Sequence, residues 1–309
     1  MKAEEAGRKT IQVMNSTVNI TVLTIIMLLI AFAGYALWDS EQINSAADKF
    51  HYEIYKPTVE NEGKSFQELQ ALNPDVAAWL HVYGTNIDYP ITQGRDNIKY
   101  VNTNAEGLYS LSGAIFLDYH NSKDFSDFNS ILYGHHMDKK TMFGEIGDFA
   151  KKSMFDSHGY ARLYFNKEDH GIEFFAFIHT SAYDDAVFTP NVQGNRKQEY
   201  LDDLLANAIY KKDIGVTTED RIILLTTCSS SSTNGRDVLV GRISDKTYIN
   251  PFLDSITKDE TKQSDNQNGL VKQIRLINLI LIFLLIVLVL VIYYRRKNRK
   301  GAESYDQNI

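Results

Sequence analysis

Residues 221–243 read RIILLTTCSSSSTNGRDVLVGRI. The run Arg221–Thr227 is apolar and rich in β-branched residues, which predicts a buried strand that ends at Cys228. Asn234-Gly235 is a strong turn signal, and Arg236–Ile243 predicts a second strand that returns beside the first. The chain contains 1 cysteine, so this predicted hairpin carries its only thiol.

The hairpin places a chemically useful pair at one end of a sheet. If Cys228 lies opposite Arg236, their side chains point to the same face. A guanidinium beside a sulfur favours the thiolate and can also bond a carbonyl oxygen. The alternative is a structural cysteine buried on a strand. The pattern therefore indicates either a reactive thiol or an inert one, and other parts of the chain must decide.

Short strands separated by turn signals dominate the chain after residue 73. Their number and spacing predict a mainly β protein with a closed or nearly closed eight-stranded barrel. The predicted strands are Ala77–Val82, Thr85–Tyr89, Ala114–Leu117, Ser130–Tyr133, Ala161–Phe165, Gly171–His179, Arg221–Thr227 and Asp237–Ile243.

Helical spacing is found before the barrel and once within it. Residues 39–72 predict two amphipathic helices on either side of Lys56-Pro57. Their apolar positions are Phe50, Ile54, Tyr55, Phe66, Leu69 and Leu72. Arg196–Lys212 predicts one helix late in the barrel. Its apolar stripe consists of Tyr200, Leu201, Leu204, Leu205 and Ile209.

Two apolar runs, residues 18–38 and 276–294, are each long enough to cross a bilayer core of about 30 Å as a helix. Basic residues precede the first and follow the second, which predicts cytoplasmic ends at 1–17 and 295–309. The segment between them would face outward, with a helical lead-in over 39–72, the barrel over 73–250 and a linker over 251–275. Alternatively, Ala31-Phe32-Ala33 is a cleavage site that makes the first run a signal peptide.

Composition excludes several functions. The chain has 32 Lys and Arg against 39 Asp and Glu, and the whole of the acidic excess lies between the two apolar runs. An acidic outward segment argues against a nucleic-acid partner. A lone cysteine also excludes an intramolecular disulfide and cysteine-rich zinc sites.

Two histidines follow the predicted strand Ser130–Tyr133, about ninety residues before the cysteine. A histidine at the end of a strand can act as the base for a thiol on a neighbouring strand. Adjacent residues on a strand point to opposite faces, so His135 and His136 are poorly placed to share a metal ion. A solvated surface histidine is the simpler alternative for either one.

Taken together, these motifs resemble those of the sortases, and of class B sortases in particular. The cysteine motif is Leu225-Thr226-Thr227-Cys228, followed by Arg236, and the histidine motif is Tyr133-Gly134-His135-His136-Met137. Further matching segments are Asn73-Pro74-Asp75-Val76, the run 84–90, Ile115-Phe116-Leu117-Asp118 and Thr141-Met142-Phe143-Gly144. The helix before the cysteine strand resembles the helical insertion between the sixth and seventh barrel strands of class B.

The resemblance implies a membrane-anchored extracellular cysteine transpeptidase in a Gram-positive-type envelope. Cys228 would attack a sorting signal resembling L-P-x-T-G or N-P-x-T-x, and Arg236 and the N–H of Ser229 would stabilise the oxyanion. His135, which follows Tyr-Gly, would be the acid and base. The acceptor would be an amine of the cell wall or a pilin lysine. The scheme requires no metal or organic cofactor.

The resemblance also implies a peptide groove, lined by Asn97, Val101, Tyr133, Tyr183 and Thr226. Val101 and Thr226 are equally compatible with a role as core strand residues. The second apolar run departs from the single anchor common in class B and resembles pilus-assembling sortases, although the Asp-Pro-aromatic lid motif of class C is not seen. Two alternatives remain at this point: a membrane-tethered cysteine peptidase that uses water, and a non-enzymatic receptor or adhesion module.

Overall fold

The computed structural model describes residues 2–58, 63–137, 139–229 and 233–253. Nine strands fall within this part of the chain. In chain order they are β1 (Val76–Val82), β2 (Asp88–Thr92), β3 (Ile115–Leu117), β4 (Asn129–Tyr133), β5 (Tyr160–Phe165), β6 (Glu168–Ser181), β7 (Ala208–Lys211), β8 (Arg221–Cys228) and β9 (Gly235–Ser244). The α-helices are α1 (Lys2–Ala46), α2 (Lys64–Leu72), α3 (Lys152–Ser157) and α4 (Arg196–Ala206).

Eight of these strands form a closed ring. The hydrogen-bonded order is β5-β1-β2-β3-β4-β8-β9-β6, and β6 returns to β5 to close it. The β2–β3 and β4–β8 pairs are parallel and the others are antiparallel, so the barrel is mixed. The predicted eight-stranded barrel is therefore confirmed, with strand positions that overlap all eight predicted segments.

The ninth strand corrects the sequence prediction of one helix over Arg196–Lys212. Helix α4 ends at Ala206, and β7 then pairs with β6 outside the ring. Ile209, predicted to continue the apolar stripe, is 51% exposed. The residues after Ala206 form hydrogen bonds with the open edge of β6 and become a strand. For this reason they do not form another helical turn.

Strand alternation divides the apolar residues into two cores. Inside the barrel, Leu225 of β8 and Leu239 of β9 belong to the larger cluster. On the outer face, Leu224 and Val240 of the same strands pack with Leu204 of α4. Successive residues of a strand point to opposite faces, so Cys228 lies on the same face of β8 as Leu224, which is the outer face.

The N-terminal region is helical, but its division differs from the prediction. Helix α1 continues through Ala46 as one element and contains a stretch long and apolar enough to cross a membrane. The helix leads directly into the barrel. Ala47, the residue after its end, is buried, and its carbonyl accepts a 2.9 Å hydrogen bond from the Tyr89 hydroxyl of β2.

The predicted first amphipathic helix is replaced by two short 3₁₀ turns, Lys49–His51 and Glu53–Tyr55. Its predicted buried residues Phe50 and Ile54 are exposed, because single turns have no continuous face to bury. In α2, Phe66 and Leu69 are buried as predicted, whereas Leu72 at the helix end is 60% exposed. The predicted linker beyond residue 253, the second apolar run and the basic tail lie outside the described residues.

Candidate active site

The predicted pairing of the thiol with the guanidinium is present. Cys228 is the last residue of β8, is exposed, and lies directly opposite Arg236 in the antiparallel β8–β9 register. The half-buried Arg236 donates from Nη1 to the carbonyl of Gly235 at 3.0 Å, which leaves most of its five N–H donors for other acceptors. A cation and a thiol thus share one face at the rim of the barrel.

His135 enters the same rim from the neighbouring strand. Strands β4 and β8 are parallel, with Tyr133 opposite Thr226, and the Gly134 N–H continues the ladder to the Thr226 carbonyl at 3.1 Å. Counting two residues on along each strand brings His135 level with Cys228 on the same outward face. The side chain of His136 belongs to the opposite face by the same alternation.

The backbone of Val101 orients the His135 imidazole. Nε2 of His135 lies 2.9 Å from the Val101 carbonyl oxygen, and a carbonyl only accepts, so Nε2–H is the donor. Nδ1 is then the nitrogen that can exchange protons with reactants. A base held by a third group is the arrangement that activated nucleophiles require. Val101, predicted as a groove residue, thus contributes through its main chain, while its side chain packs against the barrel core.

Buried Asp118 ties two of the predicted groove residues together. One of its carboxylate oxygens, Oδ2, accepts from Asn97 Nδ2 at 2.7 Å and from the Tyr133 hydroxyl at 3.1 Å. Burial, together with the negative charge of Asp118, raises the pKa of Tyr133 above its ordinary value. The sequence prediction assigned no role to Asp118. Its only signal was an acidic residue directly after a short apolar strand.

The remaining predicted site residues differ widely in their exposure to solvent. Thr226 is 1% exposed and lies on the face of β8 that carries Cys228. Tyr183 is 78% exposed in the turn after β6. The N–H of Ser229 donates to the Gly235 carbonyl at 2.9 Å as part of the hairpin. The oxyanion role of that N–H stays a prediction; in this structure the hairpin ladder uses the donor.

No three His, Cys, Asp or Glu side chains of the described ranges are grouped so as to hold a metal ion. What the rim offers is a thiol, an oriented imidazole and a guanidinium on one face. That combination can form and resolve a covalent acyl intermediate.

Comparison with known proteins decides the family. The chain is 31% identical over 179 residues to sortase B of Listeria monocytogenes, an alignment that covers 57% of this chain and 73% of the relative. The chain belongs to the sortase B family. A scan against protein-family models gave no match.

Solved structures of class B sortases agree with this. Sortase B from the type II pilus of Streptococcus pneumoniae is 45% identical, with a TM-score of 0.52, over 59% of this chain and 99% of that one. A Streptococcus pyogenes class B sortase involved in pilus biogenesis is 41% identical, with a TM-score of 0.55, over 59% and 100%. Staphylococcus aureus sortase B, 27% identical with a TM-score of 0.57 over 67% and 97%, has been solved with a substrate.

Proposed function

We propose that this sortase is a cysteine transpeptidase in which Cys228 is the nucleophile, His135 the acid and base, and Arg236 the oxyanion donor. The observation that carries the proposal is the register at the rim. The β8–β9 pairing sets Cys228 opposite Arg236, and the parallel β4–β8 pairing brings His135 level with them. Three elements of one rigid barrel therefore converge on one face.

The chemistry follows from these positions. The Cys228 thiolate adds to the carbonyl carbon at the cleavage site, and the guanidinium stabilises the oxyanion. The carbon–nitrogen bond then breaks, and the departing amine takes a proton from Nδ1 of His135. A thioester remains. An incoming amine gives one proton to His135 as it attacks, a new amide bond forms, and the sulfur leaves.

The substrates we propose are a sorting signal of a surface protein or pilin, and an amine of the cell wall or of another pilin. Their chemistry is supported by the Staphylococcus aureus sortase B structure with a substrate and by a sortase B complex with triglycine. The two pilus-associated relatives favour a pilin as one of the partners.

The cellular arrangement we propose is an extracellular barrel over residues 73–250, anchored by membrane spans at 18–38 and 276–294. The lead-in 39–72 and the linker 251–275 would connect them, and 1–17 and 295–309 would be cytoplasmic. The apolar stretch of α1 supports the first span.

A peptidase that uses water is the second candidate, because the same thioester can be hydrolysed. The non-enzymatic alternative is set aside, since the chain belongs to a family of enzymes. Transfer and hydrolysis differ only in the acceptor, so the product decides between them.

The test is mass spectrometry of the full-length protein after incubation with peptides carrying L-P-x-T-G or N-P-x-T-x signals. We expect a covalent adduct whose mass is that of the peptide less its leaving amine, and its conversion to an amide product when triglycine is added. Cys228→Ala should form no adduct and His135→Ala almost none. His136→Ala, the matched control one residue on, should still form it. Adduct formation by His135→Ala but not by His136→Ala would reverse the assignment.

A further inference from the structure

The hydroxyl of Tyr89 on β2 links the end of α1 to the chain that follows His135. Tyr89 is 1% exposed, and its ring belongs to the larger core cluster. The hydroxyl donates to the carbonyl of Ala47, just beyond the end of α1, at 2.9 Å. It also accepts from the N–H of Met142 at 3.1 Å. A hydroxyl has one hydrogen to donate, so the bond to Ala47 leaves its lone pairs for Met142.

Met142 has a backbone conformation that needs this support. Its φ is 53°, in the left-handed region where a residue with a side chain is strained. Met142 is also buried, so without the Tyr89 hydroxyl its N–H would have neither that acceptor nor ready access to water. An unpaired backbone N–H in the core is costly. The hydroxyl of Tyr89 therefore stabilises Met142 in a conformation that it would otherwise tend to leave.

The conformation of Met142 in turn fixes the backbone at His135. Met142 forms an antiparallel bridge with His136, and the next N–H, that of Phe143, donates to the His135 carbonyl at 3.1 Å. Phe143 is fully buried, and its ring packs so closely on Gly134 that an added Cβ there would lie 2.6 Å from it. His135 is thus held from two sides. The N–H of Gly134 fixes it to the β4–β8 ladder, and Phe143 fixes its carbonyl.

We propose that Tyr89 is a positioning residue for His135, which it holds in place through Met142. The inference rests on the proposed transpeptidase function, in which Nδ1 of His135 protonates the departing amine. The carbonyl of Val101 fixes the direction of the imidazole at Nε2, whereas Tyr89 supports the backbone from which the ring extends. Proton transfer requires heavy atoms within about 3 Å of each other, so a small shift of that backbone weakens the acid.

The test compares two substrates that differ in their need for an acid. One is a sorting peptide of the L-P-x-T-G or N-P-x-T-x type, whose departing amine must take a proton. The other is the p-nitrophenyl ester of the same peptide ending at the threonine, whose nitrophenolate leaves without one. In the proposed mechanism both acylate Cys228, and mass spectrometry of the full-length protein follows both adducts. The ratio of the two rates reports on the acid, because a damaged fold lowers both rates alike.

Tyr89→Phe removes only the hydroxyl and keeps the ring in the core. We expect it to lower the rate with the peptide about tenfold, a part of the roughly 10²–10⁴ that a general acid supplies, and to leave the rate with the ester largely unchanged. His135→Ala should shift the ratio further in the same direction. Tyr83→Phe is the matched control, because it loses a similar bond, 3.2 Å to the Tyr248 carbonyl, and should leave the ratio unchanged.

An unchanged ratio for Tyr89→Phe, whether both rates fall or neither does, would overturn the proposal. Failure of the transpeptidase proposal would look different, because the unsubstituted protein would then form no adduct with the peptide. Hydrogen exchange of the unsubstituted protein, followed by NMR, tests the link even if Tyr89→Phe does not fold. The amide of Met142 should be as well protected as that of Gly134 in the ladder, and free exchange at Met142 would overturn the proposal.

Discussion

Replacing His81 by glutamine should flatten the dependence of the free energy of unfolding on pH. His81 lies on β1 between Asp88 of β2 and Arg162 of β5. Burial lowers its pKa from 6.5 to about 4, and the positive charge of Lys56 adds to the effect while Asp88 opposes it. The folded barrel therefore keeps this imidazole neutral at pH values where the unfolded chain protonates it.

The sign and size follow from that difference. Below pH 6.5 the unfolded state binds a proton at His81 that the folded state does not bind until about pH 4. Stability is therefore lost as the pH falls across this window. At about 1.4 kcal/mol for each pKa unit, the loss amounts to roughly 3 kcal/mol. This is a large part of the roughly 5–15 kcal/mol that stabilises a typical domain.

The fluorescence of Trp79 provides the assay. This residue is buried and donates from Nε1 to Asp88 at 2.7 Å, so it reports on the same part of the barrel. Urea unfolding of the full-length chain, with Trp38→Phe as background, is measured at several pH values across the window. His51→Gln, at a side chain 44% exposed, is the control for losing a histidine. Identical pH slopes for the His81→Gln and unsubstituted proteins would refute the reasoning.

Three further outcomes are expected. Arg236→Lys should leave alkylation of Cys228 by a small neutral reagent largely intact but lower peptide transfer by about 10², the cost of losing a planar oxyanion donor; a parallel loss of alkylation would show that Arg236 mainly tunes the thiol. Gly113→Ala should destabilise the barrel by about 2 kcal/mol more than Gly194→Ala in urea unfolding. Both glycines have positive φ, but only at Gly113 would an added Cβ meet a backbone oxygen, that of Tyr100, at 2.4 Å. The next oxygen it would meet is that of Val101, which orients the histidine. In intact cells, a C-terminal tag should resist added protease while the barrel is cleaved; an accessible tag would contradict the two-span topology.

The parts of the fold that could be predicted are those specified locally. The β8–β9 hairpin follows from a β-branched run, a turn signal and a returning strand, and even the opposition of Cys228 and Arg236 came from that pattern. Strand β7 could not be predicted, because the spacing of Leu205 and Ile209 also fits a helix. Only the tertiary edge of β6 decides against it.

In the candidate active site, too, some features could be predicted from the sequence and others depend on the tertiary structure. The sequence pointed to the thiol, the imidazole and the guanidinium because their chemistry is visible in the residue type. It did not indicate that the Val101 carbonyl orients the histidine, since every residue has a carbonyl. Nor did it identify Asp118, because the role of an acidic residue depends on which groups the fold brings to it.

The parallel pairing of β4 with β8 also affects the order in which the active site forms during folding. It joins Asn129 to Ile222, residues 129 and 222 being 93 positions apart, whereas the β8–β9 hairpin is local. Closing a long loop costs more entropy than closing a short one, so distant pairings form late. We therefore expect a newly made chain to bring its thiol beside the arginine before the histidine arrives. The proposed general base would then reach the thiol only when the barrel closes, so partly folded molecules should not cleave peptides.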